Sequence, residues 1–148
     1  MLIQKDEKYL PSIDAMKFIG FIRGSENESN DSPEVHYKIA DALFSPAKRD
    51  RKVVIECTRG LGKSTTVEYA VIYAAAVGEW PGFGKVPFIV FLGASQEGNV
   101  KQFFKNVANK IERSKLISSV LSVKRVTDNE LELVNVNGVE TMIVGRGM

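Results

Sequence analysis

The chain is poor in the residues that build covalent or metal-held frameworks. Its 148 residues include one cysteine, Cys57, so an intrachain disulfide is excluded and a reducing compartment is compatible. One histidine, His36, and no C-x-x-C pair leave no cluster with zinc-ligand spacing. No apolar run approaches the roughly 20 residues that a membrane-spanning helix needs. The start, Met1-Leu2-Ile3-Gln4-Lys5-Asp6-Glu7, is not a signal peptide. Charge of one sign is also lacking. The net value of +2 gives no global argument for nucleic acid or for a membrane surface. Also missing is an apolar strand ending in Asp or Asp-Glu. Asp6-Glu7 follows no such strand, and Asp128 falls in an expected turn.

What is present is enough apolar material for one ordinary domain: 44% hydrophobic and 26% charged residues mark a globular chain rather than a disordered one. Its most informative stretch is Glu56-Cys57-Thr58-Arg59-Gly60-Leu61-Gly62-Lys63-Ser64-Thr65. This keeps the last three positions of the phosphate-binding loop G-x-x-x-x-G-K-[ST] and puts Cys57 where the first glycine belongs. The chemistry follows from the residue types. Gly60 and Gly62 allow the dihedrals that turn N–H groups toward an anion. Backbone groups from Thr58, Arg59, Gly60, Leu61, Gly62, Lys63, Ser64 and Thr65 are the expected cradle. Lys63 supplies a point charge for the outer phosphates, and Ser64 a hydroxyl for Mg²⁺. Val53, Val54 and Ile55 before the loop fit a short buried strand. Residues 65–77, apolar apart from Glu68 and a few hydroxyls, fit a buried helix ended by Gly78. The plainer alternative is a glycine-rich strand-to-helix turn with an incidental lysine.

Elsewhere the pattern predicts a helix from Ser12 to about Arg23, with Ile13, Met16, Ile19 and Phe21 as its apolar members. Residues 24–32 are polar and read as a linker. A second helix starts at Ser32-Pro33, buries Val35, Ile39, Ala40 and Leu43, and stops at Ser45-Pro46. After a loop with Trp80 and Phe83, Phe88-Ile89-Val90-Phe91-Leu92 reads as a second buried strand. Ser95 caps the next helix, whose core face is Val100, Phe103, Phe104, Val107, Ala108 and Ile111. Lys101, Lys105, Lys110 and Arg113 are assigned to the opposite face, either simply solvated or facing nucleic acid. The last third reads as a β-meander: residues 120–126, 131–136 and 139–144, with Asn137-Gly138 as a two-residue hairpin turn.

Cys57-Thr58-Arg59-Gly60-Leu61-Gly62-Lys63-Ser64-Thr65, with Phe88-Ile89-Val90-Phe91-Leu92-Gly93-Ala94-Ser95-Gln96 and Val144-Gly145-Arg146-Gly147, resembles the ATPase domain of bacteriophage terminase large subunits. The resemblance runs from about Pro33 onward. It implies an α/β P-loop NTPase core with a mainly parallel sheet, to which the C-terminal hairpin read above is added, and the helix and linker read over residues 1–32 precede it. It implies ATP and Mg²⁺ as ligands, with Arg59 and Lys63 acting on the γ-phosphate and Ser64 holding the metal. It further implies double-stranded DNA, a portal protein and a small terminase subunit as partners, an oligomeric motor, no membrane, and work in the host cytoplasm. The segment from His36 to Phe44 corresponds to part of the family's adenine pocket. The family's acidic ATPase strand and nuclease carboxylates are not in this sequence, so the chain reads as the N-terminal part of a longer ATPase, essentially inactive alone. A helicase-like ATPase and a non-hydrolysing nucleotide-binding module are the alternatives.

Overall fold

The computed structural model describes residues 11–25, 34–44, 54–56, 60, 62–81 and 83–148. Three helices form one layer. Helix α1 (Pro11–Ser25) buries Ala15, Met16, Ile19 and Ile22, which share one stripe. Ile13 and Phe21, expected on that stripe, lie on the other side of the helix, and Phe21 is 70% exposed. Helix α2 (Glu34–Phe44) buries Ile39, Ala40 and Phe44. Helix α3 (Lys63–Val77) is buried nearly all round after its first turn, which its lack of polar residues dictates. It ends as expected at Gly78, whose φ of 89° lets its N–H reach the Ala74 carbonyl at 2.9 Å. An aromatic cluster ties the layer together. Tyr73 packs against Phe18 and Phe44, and Phe44 against Trp80. The Trp80 indole N–H donates to the Leu43 carbonyl at 2.9 Å.

The second layer is a four-stranded sheet: β1 (Phe88–Gly93), β2 (Leu121–Val126), β3 (Glu130–Asn135) and β4 (Glu140–Gly147), in the order β1-β4-β3-β2. The α/β class stands, but the sheet is mixed rather than mainly parallel. Only β1 and β4 run parallel; β4–β3 and β3–β2 are antiparallel. Connection length explains this. Short loops force β2, β3 and β4 into a meander, whereas the path from β1 to β4 is long enough to cross over. That path holds a π-helical turn (Gln96–Val100), α4 (Lys101–Arg113) and a short α5 (Lys115–Val120). The helix α5 was not expected; the sequence pattern had its last residue opening a strand.

One face of the sheet, with Leu131, Leu133 and Ile143, packs on α3 and α4. Gly145 of β4 allows the closest approach: a Cβ there would collide with the side chains of Val100 and Phe104. All six residues expected to form the core face around α4 are buried. The other face is open. Phe88, Val90 and Leu92 of β1 stand exposed there, so the strand expected to be buried is covered on one face only. The β3–β4 turn is longer than the two-residue hairpin expected. The Gly138 N–H donates to the Asn135 carbonyl at 3.0 Å, and the Asn135 side chain accepts from the N–H groups of Asn137 and Val139. The expected first strand, at Val53, Val54 and Ile55, is not observed: Val53 lies outside the described residues, and residues 54–56 join no strand. Among the described residues no sheet partner reaches them, and Val54 is 81% exposed.

Candidate phosphate-binding site

The site begins with the backbone before α3. Gly60 and Gly62 have φ of 92° and 71°, the left-handed region that side chains make costly. Gly62 meets a second demand. A Cβ there would lie 2.8 Å from Nε2 of His36 on α2. The Gly62 carbonyl accepts from both the backbone N–H and the hydroxyl of Thr66, each at 2.9 Å, which starts the helix. As the N-cap residue, Gly62 brings no side chain to occupy the first-turn N–H groups, and no acidic residue lies in that turn. The helix start therefore lacks a side-chain cap and presents its positive dipole end. A cavity of about 310 Å³ opens there, lined by Gly60, Gly62, Lys63, Ser64 and Thr65. Five of the eight expected cradle residues thus come together. Thr58, Arg59 and Leu61, with Cys57, lie outside the described residues.

Two further cavities flank this opening. One, of about 190 Å³, is lined by Met16, Ile19 and Arg23 of α1, His36 of α2, and Gly62, Thr65, Thr66 and Tyr69. Helix α1 thus reaches the glycine turn before α3, which nothing in the sequence pattern indicated. The other, of about 300 Å³, lies between α3, β1 and the start of α4, with Lys63, Ser64, Glu68, Phe91, Gln102 and Asn106 in its walls. Phe91 and Phe103 stack in it at 4.1 Å and 5°.

Glu68 is the group that sequence reasoning passed over. Its side chain is 5% exposed, and it accepts from Lys110 Nζ at 2.6 Å and Asn106 Nδ2 at 3.0 Å. Lys110, expected on the outer face of α4, is therefore turned inward, with its ammonium 5.4 Å from the Tyr69 ring centroid. The signal was available: a lone carboxylate in an apolar helix needs a cation or hydrogen-bond donors to remain buried. Lys101 is also engaged. Asp128 and then Glu97 beside it raise its pKa above the ordinary lysine value. Two of the four cations once open to a nucleic-acid role are thus held by acids.

No group of three or more His, Cys, Asp or Glu side chains able to hold a metal ion occurs among the described residues. This does not exclude Mg²⁺ beside a nucleotide, because that ion keeps several waters and takes phosphate oxygens with few protein ligands. The exposed hydroxyl of Ser64, at the edge of the cradle, fits that limited part. Among the described residues, no helix is long and apolar enough to cross a membrane. Comparison with protein-family models, with curated proteins and with solved structures returns no match.

Proposed function

We propose that this chain binds a nucleoside triphosphate, ATP, with Mg²⁺ at the start of α3, as the ATP-binding part of a viral DNA-packaging motor. The observation that carries the nucleotide reading is the pair of left-handed glycines leading directly into Lys63-Ser64 at an uncapped helix N-terminus. Lys63 meets the outer phosphates, Ser64 contributes its hydroxyl to the metal, and the first-turn N–H groups hold phosphate oxygens. Arg59 joins from outside the described residues to act on the γ-phosphate. The base and ribose lie on the side of His36, Arg23 and Tyr69, where the cavity continues from Gly62 and Thr65.

The motor, with double-stranded DNA as its load and a portal and small terminase subunit as partners, rests on the terminase-like spelling of the loop and of the two later segments. The helicase-like alternative shares this nucleotide chemistry. One observation favours binding without turnover by these residues alone. Among the described residues, Glu68 is the one acid in the wall beside Lys63 and Ser64, and its two oxygens are held by Lys110 and Asn106. A carboxylate able to polarise water must then come from elsewhere.

The test is calorimetry with ATP and Mg²⁺ on the wild-type chain and on Lys63→Ala. Binding by the first and none by the second is the expected result. Equal affinity in both refutes the reading.

A further inference from the structure

The cavity between α3 and α4 has a polar wall whose orientation is fixed by one buried charge. Glu68, as a carboxylate paired with the Lys110 ammonium, can only accept hydrogen bonds. Asn106 must therefore turn its NH₂ toward Glu68, as it does at 3.0 Å. That leaves the Asn106 Oδ1 facing along α4 toward Gln102, one turn earlier. Gln102 in turn must present its own NH₂, and Nε2 donates to Asn106 Oδ1 at 2.6 Å. Each amide is thus oriented by the one before it. Gln102 then has its carbonyl Oε1, an acceptor, and the second N–H of its amide left to offer. Gln102 is exposed, and it lines the same cavity as Lys63 and Ser64.

We infer that Gln102 accepts a hydrogen bond from the water shell of the divalent cation bound with the nucleotide. Glu68 and Asn106 act as positioning residues that fix the polarity of its amide. For the carbonyl, the chemistry selects this partner. Phosphate oxygens are themselves acceptors and gain nothing from a carbonyl, whereas metal-bound waters are donors. Ser64, the expected metal ligand, shares the cavity wall with Gln102. The inference rests on the nucleotide reading above and adds a residue that no P-loop pattern contains.

The experiment measures ATP affinity by calorimetry twice for each protein, with Mg²⁺ and with EDTA. The quantity read is the ratio of the two dissociation constants. In the wild type Mg²⁺ should tighten binding. In Gln102→Leu that gain should fall roughly fivefold, the worth of one hydrogen bond, with the EDTA value unchanged. Gln102 is exposed, so the variant keeps the fold. Ser64→Ala, which loses the metal's hydroxyl, is the positive control. Asn106→Leu cuts the amide chain and should give part of the Gln102→Leu loss, because a freed Gln102 amide turns either way. An equal Mg²⁺ gain in wild type and Gln102→Leu overturns the inference and leaves the nucleotide reading standing. Wild-type binding without any Mg²⁺ gain does the same. No ATP binding under either condition, in a folded wild type, overturns both.

Discussion

Replacing Lys110 by methionine is the most direct check on the packing beneath the site. Methionine keeps the length of the side chain and removes the charge. Glu68 is then left as a buried carboxylate with Asn106 as its remaining partner. Breaking a fully buried pair costs about 3–5 kcal/mol. The Lys110 side chain is 22% exposed, so water offsets part of that loss. We expect about 2–3 kcal/mol, or roughly 5–10 °C in Tm for a chain of this size. Glu68→Leu with Lys110→Met removes both charges. The double variant should recover to within about 1 kcal/mol of wild type, the residual being the unpaired Asn106 amide. The assay is urea unfolding of the wild type, both single variants and the double variant, read as a double-mutant cycle. A Lys110→Met protein within about 0.5 kcal/mol of wild type would refute the reasoning, since that is the cost of losing a solvated surface cation.

Gly145→Ala should destabilise the chain by about 1–3 kcal/mol, because the new methyl group overlaps Val100 and Phe104 in a packed core; an unchanged Tm would show that α4 can give way. Gly62→Ala should weaken ATP binding more than Gly60→Ala. Both glycines have positive φ, but a Cβ meets His36 only at position 62, and position 60 has open space. Equal losses in a calorimetric titration would remove His36 from the account.

The helices were legible where one stripe of apolar residues decides the packing. The face of α4 from Val100 to Ile111 and the termination of α3 at Gly78 are local consequences of spacing and of a single glycine. Strands were less so, because a strand is completed by its neighbour. Phe88-Ile89-Val90-Phe91-Leu92 has the same letters whether it lies in the middle of a sheet or at its edge. Its parallel pairing with β4 depends on residues some 50 positions away. The meander was readable from its turns, but the exact loop was not. The Asn135 side chain holds the β3–β4 turn open to four residues, a tertiary detail that the Asn-Gly signal does not contain.

At the site the division is similar. Gly60, Gly62, Lys63, Ser64 and Thr65, which line one cavity, could be picked out because the loop pattern is written in consecutive residues. Arg23 and Gln102 were not, because each reaches a flanking cavity from another helix, and His36 entered only as the start of a segment that the family resemblance set near the adenine. Lys110 was misplaced for an instructive reason. Counting by 3.6 put it on the polar side of α4, whereas the pull of one buried acid on α3 outweighed the cost of bending its flexible chain inward.

The edge of the sheet connects these points. β1 pairs with β4 on one side and with nothing among the described residues on the other. Val54, just before the loop, is apolar and exposed, with no strand beside it among the described residues. Backbone groups in such segments need partners, and a Val-Val-Ile run gains strand character only when a neighbour supplies them. Beside β1 lies the cavity that has Lys63 and Ser64 in one wall and Phe91 of β1 in another. A strand pairing with β1 in the parallel sense would run toward Gly93. Its last residues would therefore arrive where Ser64 and Phe91 meet. On the ATPase reading proposed above, a carboxylate at that end of such a strand would supply the group that Glu68, held by Lys110 and Asn106, does not provide.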